Sequence, residues 1–107
     1  MDTVRLCRLL AGALLAAAGQ QALADTHEVT ISKLAFTPAV VQARVGDTVV
    51  WRNQDVIDHT ATVAGLWGVV IPAGKSARLV LDKPGDQTYY CRYHPNMTAR
   101  LTVAAAP

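Results

Sequence analysis

Short stretches in which apolar and polar residues alternate, each ended by turn residues, cover the chain from residue 28 onward. Such a period of two places alternate side chains on opposite faces of a β-strand. Turns recur about every eight to twelve residues and no long amphipathic helix is indicated, so the pattern predicts a single all-β domain, a Greek-key antiparallel β-sandwich. The predicted inward positions are Val29, Ile31, Val41, Ala43, Val45, Val49, Trp51, Ala77, Leu79, Leu81, Tyr89, Cys91, Leu101 and Val103.

Residues 1–24 have the features of a secretory signal peptide. Arg5 and Arg8 precede the apolar run 9–18, which is too short to span a bilayer. The segment 22–24, Ala-Leu-Ala, then provides small residues at the two positions that a signal peptidase reads. We therefore predict cleavage after Ala24 and export of residues 25–107 to the periplasm as one domain.

The predicted exported domain, residues 25–107, has little net charge and one cysteine. It carries eight Lys/Arg and seven Asp/Glu, so it lacks the strongly basic face that nucleic-acid binding usually requires. Because Cys7 is removed with the signal peptide, Cys91 has no partner for an internal disulfide. Cys91 is then an intermolecular bridge, a free thiol or a metal ligand. A bound metal would also supply part of the stability that a small domain with a thin core lacks.

Four side chains together have the composition of a mononuclear copper site. Cys91, His94 and Met97 follow one another at a spacing of three, and His59 lies 32 positions before Cys91. A thiolate and two imidazoles form a trigonal plane, and a thioether supplies a long axial contact. We expect Cys91 to end a strand, the short loop 92–97 to turn back into the last strand, and His59 to begin or precede a neighbouring strand.

Other chemistries fit these residues less well. Zinc also binds Cys and His, but the thioether of Met97 favours copper. Taken singly, each of the four residues is an ordinary core or loop residue, since buried Cys and Met are common. A dinuclear copper domain needs two neighbouring cysteines, and a multicopper oxidase or nitrite reductase needs a longer chain. No catalytic triad, phosphate-binding loop or carboxylate pair is present, so we do not predict an enzyme.

Over residues 28 to 104 the chain resembles the cupredoxins, most closely their amicyanin-like branch. The resemblance rests on Phe36-Thr37-Pro38, on the segment 45–53 (VGDTVVWRN), on His59, on Pro84-Gly85 and on the motif Cys91-x-x-His94-Pro95-x-Met97. It implies a type 1 (blue) site with one copper per monomer, in which His59, Cys91 and His94 are equatorial and Met97 is axial.

The resemblance also implies a function. A cupredoxin of this branch is a periplasmic monomer without a membrane span, and it carries single electrons between a donor and an acceptor redox protein that dock near His94. The alternative is a copper-binding module for copper delivery or tolerance, which has no electron-transfer partner. Thr60 stands where the family often has Asn, so we expect different bonding between the two ligand loops, and Tyr93 is bulkier than the residue usual at its position.

One further prediction does not depend on the resemblance. Cleavage after Ala24 leaves a chain that begins Asp25-Thr26-His27. A free amine, two backbone amide nitrogens and a third-position imidazole are able to wrap Cu(II) in a square plane, a geometry that suits this ion. Thr26 keeps the N–H that such wrapping uses, which a proline would lack.

Overall fold

The structure is a computed structural model that describes residues 23–106. Most of the predicted signal peptide, residues 1–22, lies outside the described residues. Within the described part the chain forms nine strands: β1 Thr26–Ser32, β2 Ala35–Thr37, β3 Val40–Arg44, β4 Thr48–Asn53, β5 His59–Val63, β6 Trp67–Ile71, β7 Ser76–Val80, β8 Gly85–Cys91 and β9 His94–Ala104.

The strands form two packed sheets, ordered β2-β1-β4-β7 and β3-β9-β8-β5-β6. This confirms the predicted all-β sandwich. Two pairs, β1 with β4 and β3 with β9, are parallel, and the remaining pairs are antiparallel as expected. The parallel pairs arise because the chain leaves the first sheet after β2, adds β3 to the second sheet and then returns to the first as β4.

Large side chains from both sheets meet in the core. Trp51 on β4 and Tyr89 on β8 are fully buried, and the indole N–H of Trp51 donates to the Tyr89 hydroxyl at 3.3 Å. Phe36 lies edge-on to Tyr89 with ring centroids 4.8 Å apart. Trp67 packs against the rings of Trp51 and Tyr89, with ring centroids 5.9 Å apart in each pair. The predicted inward positions are buried, except that Val45, Ala77 and Leu79 are only partly buried.

Strand β4 connects the two ends of the sandwich. It begins directly after Asp47 and ends at Asn53, where the loop 54–58 leads to His59 at the start of β5. Six residues at about 3.3 Å each span roughly 20 Å. Cys91, at the end of β8, lies beside His59, so the predicted ligands belong to the Asn53 end of the sandwich.

Candidate metal centre

Three of the four predicted ligands converge at this end of the sandwich. The Sγ of Cys91 lies 3.6 Å from Nδ1 of His59 and 3.8 Å from Nδ1 of His94. One donor atom from each residue lies within 4.8 Å of the other two. His59 and Cys91 are fully buried, whereas His94 is half-buried. A sulfur atom and two imidazole nitrogens therefore face one small space.

A tight hairpin places two of these donors side by side. Cys91 is the last residue of β8 and His94 the first of β9, and they are partners across the two strands. Only Arg92 and Tyr93 form the turn, so β9 begins at His94 rather than after the expected loop 92–97. A register shift at Tyr90/Cys91 accompanies this turn, and such bulges re-aim side chains at the ends of sheets.

Asp55 orients the imidazole of His59. The Oδ2 of Asp55 lies 2.8 Å from Nε2 of His59. Because an ionised carboxylate only accepts hydrogen bonds, the ring carries its proton on Nε2 and presents the lone pair of Nδ1 to Cys91. A carboxylate or carbonyl that holds the outer nitrogen of a histidine in this way is the usual support for a metal-bound imidazole.

The same carboxylate stabilises the β1–β2 turn. Lys33 and Leu34 have φ angles of 53° and 60°, a left-handed conformation that costs a non-glycine residue about 1–2 kcal/mol. Both backbone N–H groups donate to Asp55, at 2.8 and 3.1 Å. Burial raises the pKa of Asp55, but the hydrogen bonds from Leu34, His59 and Lys33 lower it more, so the net pKa lies below the ordinary value. Asp55 therefore stays ionised.

Asn53 shapes the loop that carries Asp55. Its side-chain amide donates to the carbonyls of Ile57 and Ile71 at 2.9 and 3.0 Å, and its oxygen accepts from the Asp55 N–H at 2.9 Å. Neither Asn53 nor Asp55 was predicted as a site residue. In the sequence, the one signal for Asp55 is its position four residues before His59. That spacing does not distinguish a residue that supports a ligand from a solvated loop residue.

Thr60 connects the two parts of the chain that carry ligands. Its backbone N–H donates to the Sγ of Cys91 at 3.4 Å, and its hydroxyl accepts from the Arg92 N–H at 2.9 Å. The hydroxyl oxygen also lies 3.0 Å from that of Thr62. Where the family often has Asn, the Thr60 hydroxyl thus connects the segment that carries His59 to the segment that carries Cys91 and His94.

The surroundings of Cys91 favour its thiolate form. Burial raises the pKa of Cys91, but hydrogen bonding with the Thr60 N–H, His94, His59 and the Tyr93 N–H lowers it more, to about 6. The thiolate is the form that binds metals. The site therefore has a ligand that is largely deprotonated at neutral pH even before metal enters.

Met97, the fourth predicted ligand, shares a cleft with His94. It is buried on β9, three residues after His94, and with Leu34, His94, Pro95 and Asn96 it lines a shallow cleft open to solvent. Tyr93, at the hairpin turn, is 56% exposed. The half-buried ring of His94 is thus bordered by apolar side chains, whereas His59 is covered by protein.

His27 is far along β1 from this centre. It pairs with Val49 in the parallel β1–β4 ladder, and its Nε2 lies 2.9 Å from Oδ2 of Asp47. The amide nitrogen of Asp25 also donates to Asp47, at 2.9 Å. Of the predicted N-terminal copper ligands, the amides of Thr26 and His27 therefore belong to β1, and the Asp25 nitrogen and the His27 ring contact a carboxylate.

Known proteins with similar sequences include two amicyanins. The chain is 29% identical to amicyanin-alpha of Methylorubrum extorquens over 89% of its own length and 84% of the relative's. It is also 29% identical to the amicyanin of Paracoccus denitrificans, over 70% of its own length and 63% of that relative's. This second match therefore covers slightly less than two thirds of the relative.

Solved structures give the same result. The crystal structure of amicyanin from Paracoccus versutus matches with a TM-score of 0.65 and 26% identity, over 77% of this chain and 84% of that one. A copper-containing nitrite reductase from Thermus scotoductus matches with a TM-score of 0.62 and 29% identity, over 73% of this chain but only 22% of the reductase. The likeness to the reductase is therefore to one part of a larger protein.

No helix in the part of the chain that the structure describes is long and apolar enough to cross a membrane.

The family model of the cupredoxin-like domain matches residues 5–103, nearly the whole chain. Together with the two-sheet sandwich and the amicyanin relatives, this match shows that the chain belongs to the cupredoxin-like domain family.

Proposed function

We propose that this protein is a periplasmic type 1 copper protein that carries single electrons between larger redox proteins. His59, Cys91 and His94 would hold one copper ion equatorially, and Met97 would be its axial ligand. The observation that carries the proposal is the convergence of the Cys91 sulfur and two imidazole nitrogens within 4.8 Å. When bound, copper supplies a one-electron Cu(I)/Cu(II) couple.

The spacing of the donors fits a metal ion. An ion bonded to sulfur at about 2.3 Å and to nitrogen at about 2.0–2.1 Å separates the two donors by roughly 3.5–3.8 Å at bond angles of about 110–120°. The two S···N distances, 3.6 and 3.8 Å, agree with that range. Thiolate and thioether donors favour copper over harder ions, which supports copper as the ion at this site.

The protein supports the three donors before any metal arrives. Asp55 holds the His59 ring, Thr60 holds the Cys91 sulfur and the Arg92 backbone, and the two-residue turn holds His94 beside Cys91. Donors that are held in this way move little when the charge at the site changes. Little movement is what fast electron transfer requires, which supports a carrier.

His94 is the expected route for electrons. Its ring is half-buried and bordered by Leu34, Pro95 and Met97, while His59 is fully buried. Apolar borders suit brief contacts with a partner, because they form and separate without the loss of specific ion pairs. We therefore propose that the donor and acceptor proteins dock at this edge, and that the protein is an electron carrier rather than an enzyme.

The proposed location rests on residues 1–24. Their basic start, short apolar run and Ala-Leu-Ala ending support export with cleavage after Ala24. Intact mass measurement of the protein recovered from a periplasmic extract tests this directly. A mature mass that starts at Asp25 is expected, and an uncleaved chain in the membrane fraction would contradict the proposal.

A test of the site uses two substitutions. The copper-loaded, oxidised protein is expected to be intensely blue from thiolate-to-copper charge transfer, and Cys91→Ser is expected to abolish the colour. Met97→Leu is expected to keep a coloured site with a raised midpoint potential, because the weak axial donor that helps to stabilise Cu(II) is lost. A stoichiometrically loaded wild type without a visible thiolate band would contradict the assignment.

Electron exchange separates a carrier from a copper-delivery or tolerance module. A carrier is expected to cycle reversibly at an electrode and to exchange electrons rapidly between oxidised and reduced copies of itself. A delivery protein is expected to lose copper quickly to a chelator and to exchange electrons slowly. Rapid copper loss together with slow self-exchange would favour the delivery function.

A further inference from the structure

A buried carboxylate organises the end of the sandwich opposite His59. Asp47 precedes β4 and is 5% exposed. Its Oδ1 accepts from the Asp25 backbone N–H at 2.9 Å. Its Oδ2 lies 2.9 Å from Nε2 of His27 and 3.0 Å from the donating Arg44 N–H. Nothing in the proposed electron transfer uses this cluster.

Processing changes the chemistry of one of these groups. In the uncleaved chain the nitrogen of Asp25 is an amide and has no free lone pair. If cleavage follows Ala24, that nitrogen becomes an α-amine, a good metal donor once it loses its proton. An amine and an imidazole nitrogen then each stand within hydrogen-bond distance of the Asp47 carboxylate. Asp25, His27 and Asp47 line a cleft that is open to solvent.

We infer that the mature protein has a second cation site, in which the α-amine of Asp25, Nε2 of His27 and the carboxylate of Asp47 bind a divalent ion of the Zn(II) class. Nitrogen and carboxylate donors are the usual ligands of this ion, and water completes an open site. On binding, the ion takes the place of the amine's proton, which is released to solvent, and the neutral His27 ring carries its single proton on Nδ1. The inference rests on the proposed cleavage and not on copper binding at Cys91.

The structure favours this arrangement over the square-planar wrapping predicted from the sequence. Wrapping recruits the backbone amides of Thr26 and His27, yet these residues pair with Thr48 and Val49 in the β1–β4 ladder. The Thr48 N–H also donates to the carbonyl of Asp25, at 2.9 Å. Wrapping would therefore separate the start of β1 from β4, whereas binding through Asp47 leaves the strands paired.

The two arrangements also use different nitrogens of His27. A chelate ring that includes the residue's own amide nitrogen closes through the nearer nitrogen, Nδ1. In the structure it is Nε2 that faces Asp47. Asp47 is a ligand in one arrangement and has no role in the other, so a substitution at this residue distinguishes them.

The experiment titrates Zn(II) alone into mature protein with a mass-verified Asp25 terminus, reduced and already loaded with copper so that Cys91 is occupied. Calorimetry is expected to show one Zn(II) equivalent, and the ¹⁵N spectrum is expected to show metal on Nε2 of His27. Because loss of even a supporting partner weakens metal sites about 10- to 100-fold, His27→Gln and Asp47→Asn should each weaken this equivalent by at least about tenfold.

Two controls complete the design. A chain that retains Ala24 before Asp25 should lose the Zn(II) equivalent, because its Asp25 nitrogen is an amide. Glu28→Gln, which removes a neighbouring exposed carboxylate paired with Arg52, should bind as the wild type does. The blue absorption of each oxidised variant reports that the fold is intact, and if Asp47→Asn does not fold, His27→Gln and the retained Ala24 carry the test.

Several results would overturn the inference. These are no Zn(II) binding by the mature protein, equal binding when Ala24 is retained, or equal binding by His27→Gln. An undiminished Zn(II) equivalent in a folded Asp47→Asn protein would show that this carboxylate is not a ligand. Cys91→Ser, titrated with Zn(II) in the metal-free state, separates the two proposals, because this variant cannot form the blue site but should keep the His27-dependent Zn(II) equivalent.

Discussion

Asp55 links the β1–β2 turn to His59, which is distant from that turn in sequence. It accepts from the backbone of Lys33 and Leu34 and contacts Nε2 of His59, and Leu34 in turn lines the cleft beside His94. One carboxylate therefore fixes the protonated nitrogen of the buried imidazole and the conformation of a turn that borders the exposed imidazole. A residue with such contacts should influence metal binding although it donates no atom to the metal.

We predict that Asp55→Ala weakens copper binding about 10- to 100-fold, as loss of a carboxylate behind a metal-bound histidine generally does. In the metal-free protein the proton of His59 should no longer be confined to Nε2. Chelator competition measures the affinity, and ¹⁵N spectra measure the tautomer. Asp58→Ala is the matched control, since the Asp58 carboxylate accepts from the Ala73 N–H, whereas the carboxylate on the His59 ring is that of Asp55. Equal affinity and an unchanged tautomer in Asp55→Ala would contradict the role.

At the scale of elements, Asp47 ties the start of β1 to the β3–β4 turn. It accepts from the N–H groups of Asp25 and Arg44 and contacts His27. The hydrogen bond from Asp25, followed by that from His27, lowers the pKa of Asp47 from the ordinary 3.8 to about 2 in spite of its burial. A parallel β1–β4 pair has no hairpin to set its register, so this carboxylate fixes where the two strands begin.

The lowered pKa predicts how this tie depends on pH. A carboxyl group whose pKa is lower in the folded protein stabilises the fold above its unfolded pKa, and this stabilisation is lost as pH falls through the folded pKa. We expect Asp47→Asn to lower the free energy of unfolding of the metal-free protein by about 1–2 kcal/mol at neutral pH. The difference from wild type should shrink as pH falls from 3.8 toward about 2.

Denaturant unfolding at several pH values measures this difference. Asp86→Asn is the control, because Asp86 is exposed and its nearest cationic atom, on Arg100, is 3.6 Å away, a kind of surface pair that contributes little. A difference between wild type and Asp47→Asn that stays constant down to pH 2 would show that the effect of the substitution is not electrostatic.

On the scale of the whole molecule, the core is built without the metal. Trp51 from one sheet and Tyr89 from the other are fully buried and hydrogen-bonded to each other, and every buried side-chain nitrogen or oxygen of the described residues has a hydrogen-bond partner. The donor side chains at the candidate metal centre are also held by protein contacts. We therefore expect the fold to remain closed without an ion.

We predict that the metal-free protein stays folded and that copper raises its melting temperature. A ligand at 100 times its dissociation constant stabilises by about 2.7 kcal/mol, which corresponds to a rise of at least about 10 °C for a domain of this size. Far-ultraviolet circular dichroism and thermal melts of both forms provide the measurement. Cys91→Ser should gain much less from copper, and a disordered metal-free protein would contradict the prediction.

The sequence by itself determined the strand pattern, the buried faces and the kinds of donor atom. These properties are local, because a period of two sets which side chains of a strand point inward. Val49 with Trp51 and Tyr89 with Cys91 were therefore predicted inward and are buried. The Cys-x-x-His-Pro-x-Met motif likewise needs no tertiary information, since the softness of its donors alone indicates copper.

Only the tertiary structure decided which strands are parallel and which carboxylates support the histidines. Asp55 contacts Lys33 across 22 positions and Asp47 contacts His27 across 20, and no local pattern specifies such pairs. The N-terminal segment illustrates the difference: alone, Asp25-Thr26-His27 is a chelating peptide, but as part of β1 its backbone is paired with β4 and its imidazole faces Asp47. Strand pairing competes for the same amide groups, and that competition exists only in the folded chain.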